Sequence, residues 1–234
     1  MSGNDTDLKA QPWQHGPMLP VRQQIYETLR LRIIRGEIPP GTALSEAELA
    51  RHFAASRQPV REAFIKLVED GLLEVRPQRG TFVRKISKNA VIDARFVREA
   101  IEAKIVRELA VKHDQRLLGQ LRALLVAQKA VPITKPYSFM KLDEEFHWTL
   151  AQAAGRLYGW KVIEGIKVQM DRVRYLALEN FSQETLIKQH AAITDAIESG
   201  VPDRAEIEMQ KHMRLLLDDL PSIEMEYPDF FTPD

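Results

Sequence analysis

Ser56-Arg57-Gln58-Pro59-Val60-Arg61-Glu62-Ala63-Phe64 is the stretch from which the fold of this 234-residue chain can be read. Ser56 suits a helix cap, where its hydroxyl meets a free N–H of the first turn, and Pro59 still lies in that turn, where a missing N–H costs little. Val60, Phe64, Leu67 and Val68 recur at helical spacing and predict one buried face. Arg57, Gln58 and Arg61 lie on the other face. Arginine and glutamine match guanine and adenine edges and phosphates, and a helix N-terminus itself favours phosphate. Upstream, Ser45-Glu46-Ala47-Glu48 is a capping box opening a short helix that reaches about Phe53. A short helix, a tight turn and a basic-tipped helix predict a helix-turn-helix. The plainer alternative is a helical hairpin with a solvated basic end.

The next residues favour the DNA-reading alternative. Gly71-Leu72-Leu73-Glu74-Val75-Arg76 reads as a helix stop and a short strand, Pro77-Gln78-Arg79-Gly80 as a turn, and Thr81-Phe82-Val83-Arg84 as a second strand. This is a β-hairpin wing with Arg79 and Gly80 at its tip, where glycine lets the backbone approach another surface. Residues 20–85 thereby resemble the winged helix-turn-helix of the GntR superfamily of bacterial transcriptional regulators. The resemblance rests on Leu44-Ser45-Glu46, Leu49-Ala50, Ser56-Arg57 with Pro59-Val60-Arg61-Glu62-Ala63, Gly71-Leu72 and Arg79-Gly80-Thr81-Phe82-Val83. It implies that Ser56, Arg57, Gln58 and Arg61, with Arg79, Gly80 and Thr81 of the wing, contact a double-stranded DNA operator. One departure is Ala47, where many members carry an operator-binding arginine; the half-site it implies is correspondingly different. A single small winged domain reads few base pairs, so a homodimer on a palindromic operator is expected.

Composition agrees with a two-domain globular protein: 44% hydrophobic and 28% charged residues. There is no cysteine, which excludes disulfide and thiol chemistry. No apolar run is long enough to cross a bilayer and the N-terminus has no apolar signal core, so a cytoplasmic protein with no membrane partner is the expectation. Net charge is zero but uneven. Residues 19–85 hold 12 Lys+Arg against 8 Asp+Glu, and residues 86–234 hold 20 against 23. A basic small domain beside a mildly acidic larger one fits a DNA reader with a separate sensing domain.

The expected organisation is a disordered tail at 1–18, with Trp13 incidental in it, a winged domain at 19–85, a linker at 86–89, an all-helical domain at 90–220, and a tail at 221–234 lying irregularly on the surface. Val21 to Arg35 is the first helix, ended by Gly36. Beyond Asn89 every element reads as helix, over roughly 89–112, 114–129, 138–154, 157–180, 183–199 and 202–219, with breaks at Pro132 and Pro136, Gly155, Ser182, and Gly200 with Pro202. The fold class is mainly α: a winged helix-turn-helix with a small β-hairpin, then an antiparallel helical bundle. Tyr227, Phe230 and Phe231 either staple the last tail down or join a dimer contact.

The helical domain carries one polar constellation. Asp143 and His147 are four apart on one helix, beside an apolar stripe of Phe139, Leu142, Phe146 and Leu150. His190 is flanked at helical spacing by Ile187, Ile193, Thr194 and Ile197, and His212 shares a face with Met209 and Leu216. Three histidines from three helices thus point to the core. They are either core histidines satisfied by backbone carbonyls or ligands, since imidazole and carboxylate suit divalent zinc, nickel, manganese or cobalt. The domain resembles the effector-binding FCD domain of the FadR branch, with six helices closest to its VanR-type members. That resemblance implies a metal held by Asp143, His147, His190 and His212: one divalent ion per subunit, zinc, nickel or manganese. It also implies a carboxylic-acid effector met by Arg98 and Glu102, a spacing that recurs in the first FCD helix. Read alone, Arg98 and Glu102 are a surface pair or a fork for a carboxylate; Arg172 and Arg174 are weaker candidates for that fork and read mainly as solvated face.

The leading expectation is a DNA-binding regulator, by default a repressor, that senses a small organic acid at a metal-containing pocket. A metal-dependent hydrolase is the rival, because open positions on a metal activate water. Glu144 and Glu145 precede His147 but point to other helical faces, and no nucleophile set or phosphate loop appears, so no enzyme is expected. A metal-free acyl-coenzyme A sensor is disfavoured by the intact Asp/His set.

Overall fold

The computed structural model describes residues 19–112, 114–180 and 183–233; the tail expected at 1–18 and the break at Ser182 lie outside them. The chain begins with α1 (Val21–Ile34), β1 (Ala43–Leu44), α2 (Glu46–His52), α3 (Arg57–Glu69), β2 (Leu73–Arg76) and β3 (Gly80–Val83). The Ser45 hydroxyl accepts from the Glu48 N–H at 3.4 Å, as the capping box requires. Ser56 does not cap α3 with its side chain. Val60, Ala63, Phe64 and Leu67 form the buried face of α3, while Val68, expected in that stripe, is 36% exposed.

The wing holds one strand more than the sequence reading gave. β1 pairs with β3, and β3 with β2, in an antiparallel sheet of order β1-β3-β2. Two residues are too few to show an alternating pattern, which is why β1 was not legible. Arg76 faces Gly80 across the turn, Arg79 N–H donates to the Arg76 carbonyl at 3.0 Å, and Gln78 and Gly80 take positive φ values of 61° and 107°.

The rest is helical: α4 (Lys88–Lys112), α5 (Gln115–Ala130), α6 (Pro136–Ala153), α7 (Leu157–Ile166), α8 (Val168–Asn180), α9 (Gln183–Glu198) and α10 (Pro202–Glu226), then a 3₁₀ turn at Pro228–Phe230. The single helix expected over 157–180 is two, divided at Lys167, so the described residues of this part hold seven helices where six were read. Gly165 weakens the ladder just before the break. At the break, Lys167 turns inward to Asp171 at 2.8 Å and Glu144 at 3.1 Å. α4 starts inside the stretch read as linker, with the Ser87 hydroxyl accepting from the Ala90 N–H at 3.3 Å.

The last segment corrects the expectation of an irregular surface tail. α10 continues through Pro221 to Glu226 because Leu220 and Ile223 are buried with Met170 and Val173, which offsets the hydrogen bond proline cannot make. The chain then turns back. Ile86 N–H donates to the Phe230 carbonyl at 2.8 Å, and Thr232 N–H donates to the Ile86 carbonyl at 2.9 Å. Phe231 is buried, and the Phe230 ring lies 3.3 Å from where a Cβ would stand on Gly36, whose φ is +70°. The C-terminus therefore straps the junction between the winged and helical parts.

Candidate functional site

Two sites emerge, one exposed and one buried. At the exposed site, Ser56, Arg57, Gln58 and Arg61 stand on the solvent side of α3, with Arg79 and Gly80 at the wing tip and Thr81 half-buried behind them. Arg57, Arg61 and Arg79 make no ion pair among the described residues, so their guanidinium groups are available to phosphates and base edges. Gln58 is held by Glu62, its amide nitrogen donating at 3.0 Å.

The buried site lies where α4, α6, α9 and α10 meet. Asp143 and His147 come from α6, His190 from α9 and His212 from α10, and one ligand atom from each lies within 4.8 Å of all the others. All four residues are buried. Each histidine is oriented by a partner on its Nδ1. His147 Nδ1 donates to Glu102 Oε2 at 2.5 Å, His190 Nδ1 to Gln128 Oε1 at 3.0 Å, and His212 Nδ1 to Gln189 Oε1 at 2.9 Å. The Gln128 amide is itself fixed, its nitrogen donating to the Leu142 carbonyl at 3.2 Å. With the proton on Nδ1, each Nε2 presents a lone pair inward.

Those lone pairs face one another. His212 Nε2 is 3.1 Å from His147 Nε2 and 3.3 Å from His190 Nε2, while Asp143 Oδ1 has no hydrogen-bond partner and lies 3.5 Å from His190 Nε2. Three bare nitrogens and an orphaned carboxylate oxygen repel unless a cation stands between them. Two nitrogens bound at about 2.0–2.1 Å to one ion are about 2.9–3.4 Å apart for bond angles between a right angle and tetrahedral. The observed spacings fall in that range, so the group fits a divalent ion and could hold one.

Electrostatics favour the same state. Burial pushes the His190 imidazole down to about 3, against the pull of Asp143. Burial, with His190 and His147 alongside, holds His212 well below its usual value. Both rings are therefore neutral at physiological pH, the form that binds metal. Burial alone would raise the Asp143 carboxyl, but Arg174, His147, His190 and Arg98 hold it well below the usual carboxylate range. Glu102 is likewise kept at about 2, burial being outweighed by Arg98 and His147.

A cavity of about 250 Å³ opens beside this group. Arg98, Asp143, Arg174 and His212 line its polar end, and Met170, Leu178 and Leu216 are among its apolar walls. Two sequence expectations change here. Arg98 and Glu102 are not a surface pair: with Val91, Ala94, Ile105 and Leu109 they occupy the buried stripe of α4, and Arg98 Nε donates to Glu102. Glu102 supports His147 and does not line the cavity. Arg172 and Arg174 are not solvated. Arg172 is 1% exposed and donates to the Arg84 carbonyl at 2.7 Å, and Arg174 is paired with Asp143. The reading failed because charged and apolar residues are mixed around α8 without one clear face, yet it packs against α1, α4, α6 and α10, so few of its described residues meet water. Gln128 was also missed, although its signal was present: it continues the Leu117, Leu121, Leu125 stripe of α5 with a polar residue. Gln189 has no such signal.

Comparison with known proteins agrees with both halves. The profile described as "Bacterial regulatory proteins, gntR family" matches residues 21–83, and that of the FCD domain matches residues 93–215. The chain is 40% identical over 221 residues to the HTH-type transcriptional repressor RspR of Escherichia coli K12, covering 94% of this chain and 97% of RspR. It is 27% identical to a probable D-xylose utilization operon transcriptional repressor of Paenarthrobacter nicotinovorans, over 84% of this chain and 87% of that protein. Among solved structures, E. coli McbR/YncC superposes with a TM-score of 0.70 at 19% identity, over 90% of this chain and all of that one. These families and relatives are transcriptional regulators and not enzymes. Among the described residues, no helix is long and apolar enough to cross a membrane.

Proposed function

This chain belongs to the GntR family of bacterial regulatory proteins and carries an FCD domain, and from that premise we propose a cytoplasmic repressor whose hold on a palindromic operator answers to a small carboxylic acid at a metal centre. Ser56, Arg57, Gln58 and Arg61 enter the major groove or meet its phosphates, and Arg79, Gly80 and Thr81 follow the adjacent groove. The free guanidinium groups of Arg57, Arg61 and Arg79 support this assignment. Two copies bind together. Ile92 and Phe96, one turn apart on α4 and 41% and 65% exposed, support a dimer face on the first helix of the FCD domain.

Asp143, His147, His190 and His212 hold one divalent ion, zinc, nickel or manganese. Such an ion would offer coordination positions for a carboxylate. Arg98, at the cavity wall beside Asp143 and His212, pairs with the acidic group of the same ligand. The single observation that carries this reading is the convergence of three bare Nε2 lone pairs, each oriented from behind by a carboxylate or amide oxygen. The test is metal analysis of protein purified without chelator, beside an operator-binding assay with and without candidate acids. One metal equivalent per chain and an acid-dependent change in operator affinity are expected. Protein that takes up no divalent ion would refute the metal centre.

A further inference from the structure

α8 touches both the buried site and the winged domain through one continuous series of charges. Arg174 pairs with Asp143 of the metal-binding group. The same guanidinium lies 3.7 Å from Asp171 Oδ1, a buried oxygen with no hydrogen-bond partner. The other Asp171 oxygen is shared by Lys167 at 2.8 Å and, across the domain junction, by Arg30 of α1 at 3.3 Å. Two further residues of α8 bond to the winged part independently of Asp143: Gln169 Nε2 donates to the Gly71 carbonyl at 2.6 Å, and Arg172 to the Arg84 carbonyl.

We propose that Arg174 is the positioning residue that passes occupancy of the metal centre to the DNA-binding domain, by exchanging Asp143 for Asp171 and so loosening Arg30. This rests on the metal reading above and specifies the regulation of that site. Asp143 is the common partner. A cation drawn into the three-histidine group competes with Arg174 for its carboxylate. Arg174 then strengthens its second contact. Bringing 3.7 Å to hydrogen-bond length needs a shift of less than about 1 Å, and Asp171 Oδ1 is a spare acceptor awaiting it. Asp171 carries one negative charge. With Arg174 fully engaged as well as Lys167, its attraction for Arg30, the most exposed of the three partners and longer than the Lys167 contact, weakens. Gln169 and Arg172 keep their backbone bonds, so α1 loosens about a fixed pivot and the winged domain is not released outright. The freed donors of Arg174 also remain on the cavity wall, where a carboxylate ligand would bias the same exchange.

The experiment uses full-length protein stripped of metal, with zinc chloride as the probe. It follows zinc stoichiometry and amide hydrogen exchange in residues 21–34 for the wild type, Asp171→Asn, Arg30→Gln and His190→Ala. In the wild type, zinc should bind at one equivalent and α1 should lose protection. Asp171→Asn and Arg30→Gln should bind zinc equally but show α1 already deprotected and unresponsive. His190→Ala should bind little zinc and show no response. Arg30 is partly exposed, so Arg30→Gln keeps the test valid if Asp171→Asn fails to fold. Zinc that binds the wild type without changing α1, or that changes α1 equally in Arg30→Gln, overturns the relay and leaves the metal centre standing. Absence of zinc binding in the wild type overturns both.

Discussion

Five arginines of this protein form two sets with opposite surroundings. Arg57, Arg61 and Arg79 stand in solvent at the tip of α3 and of the wing, without ion pairs among the described residues. Arg98 and Arg174 are enclosed in the helical domain, each tied to a carboxylate that touches or belongs to the Asp/His group that could hold a metal. An exposed, unpaired guanidinium contributes little to folding and keeps its binding capacity for an outside anion. A buried one stabilises only as part of a compensated set, because taking either partner away leaves a charge in a poorly solvating interior. One chemistry therefore suits recognition of an outside anion in one place and, in the other, a balance that a further charge can tip.

The largest expected effect breaks the buried set. Arg174→Ala leaves Asp143 charged and unpartnered, and metal-free protein should lose about 3–5 kcal/mol of stability. Zinc should restore much of it, since a cation among the histidines supplies the missing compensation. Thermal melts with and without zinc measure this, and equal melting of variant and wild type in both conditions would contradict the balance described. Next, Gln128→Leu removes the group that orients His190. Outer-sphere losses of this kind weaken metal binding by about 10–100-fold, which zinc titration would read.

On the exposed set, Arg57→Ala should cost operator binding about 1–3 kcal/mol if the contact is bidentate, with the melting temperature unchanged. A melting temperature that falls with the affinity would show that Arg57 is structural and erase the contrast between the two sets. The smallest effect concerns pH. Burial would raise the Asp171 carboxyl, but Lys167, Arg174 and Arg30 hold it below its ordinary 3.8. A depressed carboxyl stabilises the fold above that ordinary value, and the contribution is lost as pH falls below it. Asp171→Asn should therefore show a shallower decline of melting temperature below about pH 4 than the wild type.

The same contrast explains what the sequence disclosed. The winged domain is built from local signals: a capping box at Ser45, a helix stop at Gly71, a tight turn at Arg79-Gly80. Each acts within a few residues, so each is visible in the chain. The four residues that could hold a metal were also legible as a candidate group, because polar side chains at Asp143, His147, His190 and His212 interrupt apolar stripes, and the structure brings them together. What surrounds them was not. Arg174 reaches Asp143 from 31 residues away, and α8 is enclosed by α1, α4, α6 and α10, which its mixture of charged and apolar residues does not reveal. The strap formed by Phe230 and Phe231 depends on Ile86, some 145 residues upstream. Such pairings are set by tertiary packing, and no local pattern announces them.

Three histidines and one aspartate are proposed to form a metal centre distinct from the surface that meets DNA. Metal content per chain, measured beside operator affinity for the wild type, His190→Ala and His212→Ala, tests it most directly. One equivalent is expected in the wild type, a large loss in both variants, and operator binding by metal-free protein left largely intact. A full metal equivalent retained in both variants would contradict it and return these histidines to the role of packed core residues.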